Sequence, residues 1–356
     1  MLKLIYFSLK RIIRSKAWII EGTEVASGEH LNVIYLGEEV QKNYITDLIF
    51  NGNCKEKYIE KKSLWPLFHL IKNLSQCSLM IIEGNYHDYK SDTEKGEFFI
   101  PLWLHSNVDI PLVASNKSAK EDLRRIKKNQ LEYVVTREPN QFHDFFYNMY
   151  LPYVKNRHQD RTLLMGYDIM MQRAKDETCE LLLVKKDSES IAGTLIVFKE
   201  KLPKLWSIGV KDGNLSYLKT GVVAATYYFS SLYLVGRGYE KMNTGSLRAF
   251  LKDGVLQYKK KWGVRVSSHD TKGFLLKPLS RSEGLKGFFS RNPFVFVNEG
   301  KLSSAVFIEN EKMGTDESYK KFHKNYYLAG LDEMIVYQYG DRENRMLNFH
   351  KFKQSQ

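Results

Sequence analysis

The sequence predicts a mixed protein of the α/β or α+β class with two domains. At 356 residues the chain exceeds the usual size of a single core, and its hydrophobic (43%) and aromatic (13%) residues suffice for packed cores. Short apolar stretches closed by glycine alternate with helical patterns, and an apolar hairpin follows in the second half. The order helix, hairpin, strand, helix, strand, helix excludes an all-helical protein.

Two short buried strands are predicted near the N-terminus, in "HLNVIYLG" and "SLMIIEG". Between them, "SLWPLFHLIKNL" predicts a helix broken near Pro66, and after them "FFIPLWLHSNVDIPLV" is extended or irregular. A domain boundary is predicted at "ASNKSAKED", where Asn116 and Ser118 are candidate helix caps.

The elements after this boundary are more sharply defined. "AKEDLRRIKKN" predicts a basic helix, "LEYVVTRE" a strand, and "NQFHDFFYNMYLPYVKNRH" a long aromatic helix interrupted by Pro152. The hairpin is "ETCELLLVKKDSESIAGTLIVFKE", followed by a strand in "KLWSIGVKDG" and a helix in "YLKTGVVAATYYFSSLYLVGRGY". A short strand in "EKMNTG" comes next, and the C-terminal part predicts further strands around one helix.

The composition restricts the function classes. A net charge of +13 favours an anionic partner, such as nucleic acid, anionic lipid, a nucleotide or coenzyme A. The sequence has no GxxxxGKS/T loop, no GxGxxG after a strand, no GxSxG elbow and no HExxH. The motifs that usually indicate ATP hydrolysis or dinucleotide redox chemistry are therefore missing. The three cysteines form no CxxC pair or metal-spaced set, which predicts a reducing compartment and no structural metal.

The first 20 residues, "MLKLIYFSLKRIIRSKAWII", predict a basic amphipathic leader rather than an export signal, because lysines and arginines interrupt the apolar residues. No apolar run approaches the roughly 20 residues that span a bilayer. Two interpretations of the leader stay open, a packed terminal helix and a helix lying on an anionic membrane. The chain is therefore expected in the cytoplasm, with peripheral contact to the inner face of the membrane as an option.

Four segments between Asp122 and Val266 resemble the GNAT-fold acyltransferase superfamily, in its FemAB-like branch. These segments are "DLRRIKKN", "FYNMYLPYVKNRH", "LLLVKKDSESIAGTLIVF" and "GYEKMNTGSLRAFLKDGVLQYKKKWG". The last is similar to the family pattern of a small-residue turn, a lysine in an aromatic-basic helix and an aromatic-glycine pair.

The resemblance implies tandem GNAT-like domains, each with a mixed central sheet flanked by helices. Residues 21–117 would form a degenerate first domain and residues 118–278 the FemAB-like acyltransferase domain. Residues 279–356 would add strands and a helix that pack on the tandem.

The resemblance also implies an acyl-coenzyme A co-substrate, with acetyl-coenzyme A as the first candidate and no metal. A strand would diverge from its neighbour to hold the pantetheine arm, and the following helix N-terminus would receive the pyrophosphate. That helix is predicted to begin at "YLKTGVVAAT", so Lys219, Thr220, Gly221 and Val222 are the candidate cofactor-binding residues. An ordinary helix start is the alternative.

Three residues are candidates for catalysis, which requires proton transfer at the amine and the leaving thiolate. Asp253 is the candidate acid, with the N-cap of the next helix as the alternative role. Ser246 is expected to line the site, and His158, beyond the aromatic helix, is a candidate base, with a surface or capping role as the alternative.

Other side chains are candidates for binding the acceptor. Asn243 lies at the end of a predicted strand, and Arg248 is expected to bind a carboxylate or phosphate, unless it forms an ion pair with Asp253. Lys259 is predicted to point inward and matches the lysine of the family pattern, whereas Lys260 and Lys261 are predicted to face solvent. The remaining candidates are Arg157, as an anion-binding group, with Tyr153 and Tyr167 as residues that either line the acceptor pocket or donate a proton.

These observations together predict an N-acyltransferase that moves an acyl group from coenzyme A to an amine. The amine could belong to an amino sugar or cell-envelope precursor carried on a nucleotide or lipid. Two alternatives stay open: a tRNA-dependent aminoacyl ligase of the FemABX type, and a non-catalytic GNAT-fold module that binds RNA or anionic lipid. No long heptad segment that would supply a coiled-coil arm occurs in the chain, which favours a small thioester donor over tRNA.

Overall fold

Strands make up most of the secondary structure in the computed structural model, which describes residues 16–59, 76–89, 96–158, 165–198, 201–268, 271–308, 316–339 and 347–353. The strands are β1 (Lys16–Thr23), β2 (His30–Gly37), β3 (Cys54–Tyr58), β4 (Leu79–Asn85), β5 (Phe98–Pro101), β6 (Leu104–Asp109), β7 (Glu132–Thr136), β8 (Cys179–Lys186), β9 (Glu189–Val197), β10 (Lys204–Val210), β11 (Lys241–Leu247), β12 (Arg265–Ser267), β13 (Lys272–Pro278), β14 (Phe294–Asn298), β15 (Lys301–Ile308), β16 (Glu333–Tyr339) and β17 (Leu347–Lys353).

The α-helices are α1 (Glu39–Phe50), α2 (Lys117–Lys128), α3 (Pro139–Asp144), α4 (Leu151–His158), α5 (Tyr167–Lys175), α6 (Val222–Gly236), α7 (Gly254–Lys260), α8 (Glu283–Arg291) and α9 (Asp316–Tyr326). A π-helix spans Phe145–Tyr150, and 3₁₀ turns span Tyr86–Asp88, Lys211–Gly213 and Leu215–Thr220. None of the helices in the described ranges is both long enough and apolar enough to cross a bilayer.

The first of two compact units comprises residues 1–104, 248–256 and 267–356. Its ten-stranded sheet has the order β17-β16-β15-β14-β5-β13-β4-β2-β1-β3. The pairs β2–β4 and β15–β16 are parallel and the others antiparallel, so the sheet is mixed. Phe98 is fully buried at its centre and lies 5.1 Å from Tyr337 and 5.2 Å from Phe294, centroid to centroid, in edge-to-face contacts that stabilise an aromatic core.

The second compact unit comprises residues 105–247 and 257–266 and is built on a seven-stranded sheet of order β12-β6-β11-β10-β9-β8-β7. Strands β7 to β10 form an antiparallel meander, whereas β10 and β11 run parallel, because α6 connects them. The predicted mixed α/β class, with two mixed sheets flanked by helices, is confirmed. The predicted domain ranges stay predictions.

Local sequence signals account for several element boundaries. The side chain of Asn116 accepts a hydrogen bond from the Ala119 N–H (2.9 Å), so it is the N-cap of α2 as predicted. In the predicted hairpin, β8 and β9 are joined at Asp187 and Ser188, which both have positive φ (50° and 68°). Two such residues give the turn a twist that matches the two strands.

The aromatic helix departs from the prediction. Pro152 does not end the helix, because helical backbone continues without a gap from α3 through the π-helix Phe145–Tyr150 into α4, of which Pro152 is the second residue. The irregularity lies just before it, as the six-residue π-helix between α3 and α4. π-Helical segments within helices are frequently found near functional sites.

Some predicted elements lie outside the described residues. These are most of the basic leader (residues 1–15) and the helix predicted in "SLWPLFHLIKNL" (residues 63–74). The backbone of Arg157 and His158 belongs to α4, but their side chains also lie outside the described part of the structure. The roles expected for these residues stay predictions.

Candidate active site

The two parallel strands β10 and β11 diverge soon after they meet. They pair at one position, Lys204 with Asn243, while the opposite edge of β10 stays paired with β9 from Lys204 to Val210. The backbone groups of β10 beyond Leu205 therefore have no ladder partner on β11. Strong donors and acceptors on such an edge can bind an extended ligand, which is the arrangement that the sequence resemblance implies.

The four residues Asn243–Ser246 lie within strand β11 at the point of divergence and contain an Asx turn. The Asn243 side-chain oxygen accepts a hydrogen bond from the Gly245 N–H (2.7 Å). Gly245 has a φ of +86°, a backbone conformation that would be strained in a residue with a side chain. On the side of β6, the Ser106 hydroxyl donates to the Gly245 carbonyl (2.6 Å) and the Thr244 hydroxyl donates to the Ser106 carbonyl (3.1 Å). The side chain of Asn243 thus stabilises the local backbone conformation, and hydrogen bonds of Ser106 and Thr244 fix this segment to β6. The sequence did not indicate a role for Ser106 or Thr244.

Lys259 brings a buried positive charge to this turn. Its side chain is on α7, the residue is only 4% exposed, and its ammonium donates to the carbonyl oxygens of Thr244 (2.5 Å) and Ser246 (3.3 Å). A Cβ added at Gly245 would lie 3.7 Å from the ammonium nitrogen and 3.5 Å from the Leu205 carbonyl oxygen of β10. Lys259 therefore lies beside the gap between β10 and β11, and its predicted inward orientation agrees with this geometry.

The two lysines that follow do not both face solvent, so that prediction is wrong. Lys261 forms an ion pair with Asp122, in which each side chain is only 13% exposed, and its ammonium lies 3.8 Å from the Tyr258 ring centroid. Burial lowers the pKa of Lys260, which is half-buried. The physical reason is that the chain turns directly after α7, where Gly263 N–H bonds to the Lys260 carbonyl (3.0 Å), and this turn brings Lys261 back against the unit.

Tyr258 is a second residue of this stretch that sequence reasoning passed over. Its hydroxyl is buried, and burial raises the pKa of Tyr258 well above the usual range. Its ring lies 5.6 Å from that of Tyr227 on α6. The phenol is therefore held in its neutral form. Trp262 is 4% exposed and lies in the core.

The predicted phosphate-binding residues do form a helix start. A 3₁₀ turn ends at Thr220, Gly221 adopts the left-handed conformation, and α6 begins at Val222. The first intrahelical hydrogen bond runs from Ala225 N–H to the Gly221 carbonyl (2.9 Å), so the N–H groups before it have no intrahelical acceptor. Lys219 is exposed, whereas the Thr220 hydroxyl already donates to the Tyr217 carbonyl (2.7 Å).

Gly221 also has a packing role. A Cβ at this position would lie 3.0 Å from the Cβ of Arg125 on α2, and φ is +86°. Any side chain at 221 would be strained on both counts. A substitution there tests folding as much as ligand binding, so Lys219 is the better position to probe.

Asp253 occupies the capping position that was its alternative role. One carboxylate oxygen accepts from the N–H groups of Val255 (2.9 Å) and Leu256 (3.0 Å), which places Asp253 as the N-cap of α7. This residue and Arg248 belong to the first unit, whereas Asn243, Ser246 and Lys259 belong to the second.

We expect Asp253→Ala to lower the free energy of unfolding by about 1 kcal/mol, because the first turn of α7 loses its cap. Asp253→Asn, which retains a side-chain acceptor, should stay within a few tenths of wild type. Urea denaturation followed by circular dichroism measures both. A stability loss for the asparagine variant as large as for alanine would show that the negative charge, and not the cap, is what matters.

Arg248 does not form the ion pair that was its alternative role. No carboxylate lies within ion-pair distance of its guanidinium in the described part of the chain, Asp253 included. The group lies instead over two aromatic rings, those of Tyr44 and Trp103, at 4.0 and 3.9 Å from Cζ to the centroids. These contacts lie within the first unit.

The remaining predicted residues have separate places in the second unit. Ser246 meets Lys259 through its carbonyl, and its side chain is exposed. Tyr153 is 6% exposed on α4, and the Tyr167 hydroxyl at the start of α5 lies 3.0 Å from His143 Nδ1. The predicted lining role of both tyrosines stays a prediction.

Comparisons with known proteins concern the fold. No protein-family model matches the chain, and no curated protein matches it. Solved structures that resemble it include L-PGS from Bacillus licheniformis, at 12% identity over 77% of this chain and 84% of that one, with a TM-score of 0.35. FemX is another. It has 11% identity over 70% of this chain and 81% of its own, with a TM-score of 0.37.

A tandem GNAT protein from the clavulanic acid biosynthesis pathway also resembles the chain, at 8% identity over 71% of this chain and 79% of that one, with a TM-score of 0.30. The structural neighbours thus include FemX and a tandem GNAT protein. At these identities the likeness concerns the fold alone.

Proposed function

We propose that the second unit is an acyltransferase that moves an acyl group from coenzyme A to an amine. The observation that carries this proposal is the divergence of β10 and β11 beside the buried ammonium of Lys259. The open edge of β10 offers backbone groups to an extended arm such as pantetheine. The ammonium is positioned to act on a carbonyl that this arm would deliver to the turn.

The chemistry of thioester aminolysis uses each of these parts. The amine nitrogen attacks the thioester carbonyl carbon, the carbonyl oxygen becomes an oxyanion, the carbon–sulfur bond breaks, and the thiolate takes up a proton while the amine loses one. In this scheme Lys259 stabilises the oxyanion, because a cation in a water-poor site acts strongly on developing negative charge.

The start of α6 is the proposed anchor for the charged end of the donor. It follows β10 after two 3₁₀ turns, and its first turn presents N–H groups with no intrahelical acceptor. Such a helix start, together with the positive charge of Lys219, favours a pyrophosphate. Acetyl-coenzyme A is accordingly the first donor to test, and an amino sugar carried on a nucleotide or lipid is the first acceptor.

A tRNA-dependent aminoacyl ligase is the second candidate, and one observation favours it. The lysines of α2 at 117, 120, 127 and 128 are exposed. Glu121 of the same helix forms its ion pairs with Arg124 and Arg125. An exposed basic helix is the electrostatic signature of a nucleic-acid surface. The two candidates use different donors, so a measurement of which donor the protein binds distinguishes between them.

Calorimetric titration with acetyl-coenzyme A and with deacylated tRNA tests the proposal. We expect saturable binding of acetyl-coenzyme A, weakened about tenfold by Lys219→Glu, because the reversal places a negative charge beside the pyrophosphate. Lys175→Glu, on the exposed end of α5, is the matched control and should bind like wild type. Binding of tRNA without coenzyme A would replace the proposal with the ligase, and binding of neither would reject both.

A further inference from the structure

Arg248 lies in an aromatic setting within the first unit. The chain from 248 to 253 is fixed to β14 by two backbone hydrogen bonds, from Val295 N–H to the Ala249 carbonyl and from Leu251 N–H to the Pro293 carbonyl, each 2.7 Å. Tyr44 contributes one ring from α1, and Trp103, just after β5, contributes the other. Each ring centroid lies about 4 Å from Cζ, and two rings at that distance do not fit on the same face of the guanidinium. The two rings therefore cover its two opposite faces.

The hydrogen-bonding capacity of this arginine is largely unused in the part of the chain that the structure describes. One terminal nitrogen donates to the Gln41 side-chain oxygen (2.8 Å), and Gln41 lies one turn before Tyr44 on α1. A guanidinium carries five N–H donors in a fixed plane. With both faces covered by rings, these donors are open to a ligand only along the edge of the plane.

The charge on Arg248 has no direct counter-ion there. Burial lowers the pKa of Arg248, and the nearby Tyr44, Asp253, Tyr35 and Glu83 act in the opposite direction. The two carboxylates are engaged elsewhere, because Asp253 caps α7 and Glu83 accepts from the Tyr35 hydroxyl (3.1 Å) and from a backbone N–H. A half-buried guanidinium stays charged under all ordinary conditions, and a charge removed from water is stabilised by an ionic partner.

We propose that the first unit binds a carboxylate-bearing ligand at Arg248. A carboxylate is planar, so it can lie in the plane of the guanidinium, between the ring planes of Tyr44 and Trp103, and accept two parallel hydrogen bonds. A tetrahedral phosphate would direct oxygens out of that plane toward the ring faces, whose quadrupole is negative. This proposal does not depend on the proposed transfer chemistry, and its test requires no donor or turnover.

The Arg248 Nε–H signal in ¹H–¹⁵N NMR spectra of the full chain is a direct probe. We expect acetate to shift this signal saturably, and acetamide, which has the same shape without the charge, to leave it unchanged. Inorganic phosphate at matched ionic strength should shift it less than acetate does. Because this measurement uses the wild-type protein, it does not depend on the folding of any variant.

Two variants complete the test. Arg248→Lys retains the charge but loses the planar pair of donors, so acetate affinity, measured by shifts of neighbouring backbone amides, should fall about tenfold. Arg291→Lys at the end of α8, an exposed arginine of the same unit, is the matched control and should bind acetate as wild type does. The proposal fails if no saturable acetate shift appears, if phosphate shifts the signal as strongly as acetate, or if Arg248→Lys retains wild-type affinity.

Discussion

Replacing Lys259 with methionine is expected to lower the rate of acyl transfer by about 10²-fold or more, the usual cost of removing one group that stabilises an oxyanion. Methionine fills a similar volume without the charge. The variant also leaves the carbonyl oxygens of Thr244 and Ser246 without this donor, so its stability should fall by about 1–3 kcal/mol. The rate is measured as release of free coenzyme A from acetyl-coenzyme A in the presence of amino-sugar acceptors, at a temperature where the variant is folded.

Lys260→Met is the matched control for this experiment, because it removes the same charge from the next residue of α7. Lys260 is only half-buried, whereas Lys259 is 4% exposed and donates to the carbonyl oxygens of Thr244 and Ser246, so the rate of the Lys260 variant should stay within a few-fold of wild type. Equal rates for the Lys259 and Lys260 variants would assign Lys259 a purely structural role. Acetyl-coenzyme A affinity that is unchanged while the rate falls would place the loss in the transition state.

Much of the second unit could be predicted from the sequence because its signals are local. The β8–β9 hairpin follows from two apolar runs around a polar turn, and the cap at Asn116 from its place before a helical pattern. Lys259 could be placed inward because it lies one helical turn from Leu256, which is fully buried. These predictions needed only spacing within one or two elements.

The surroundings of Arg248 and Lys261 could not be predicted in this way. Trp103 and Tyr44 are distant from Arg248 in sequence and meet it through the folding of the first unit. Lys261 lies beyond the end of α7, where helical spacing no longer applies, and Asp122 comes from a different helix. Contacts of this kind depend on tertiary packing, which periodicity does not encode.

Glu180→Gln is expected to destabilise the second unit by about 2 kcal/mol at neutral pH, measured by urea denaturation. The Glu180 side chain is 5% exposed, and its two oxygens accept from Arg137 (2.7 Å), Arg237 (2.8 Å) and the Tyr233 hydroxyl (2.5 Å). Removing one partner of a buried pair often costs more than this, but the arginines are 47% and 38% exposed, so water screens part of the loss. Glu177→Gln, at the 75% exposed partner of Arg137, is the control and should cost a few tenths of a kcal/mol.

The pH dependence of the stability difference between wild type and Glu180→Gln shows whether this difference comes from the charge of Glu180. Burial alone would raise the pKa of Glu180, but the hydrogen bond from Tyr233 and those from the two arginines outweigh it, so the pKa lies below its ordinary value of 4.5. A carboxyl group whose pKa is lowered by folding contributes its full stabilisation above the unfolded pKa and loses it as the pH falls through the folded pKa. The stability difference between wild type and Glu180→Gln should therefore be constant above about pH 5 and shrink progressively below the ordinary glutamate pKa. A difference that stays the same down to strongly acidic pH would mean that the loss in the variant comes from packing, and that the charge of Glu180 contributes little.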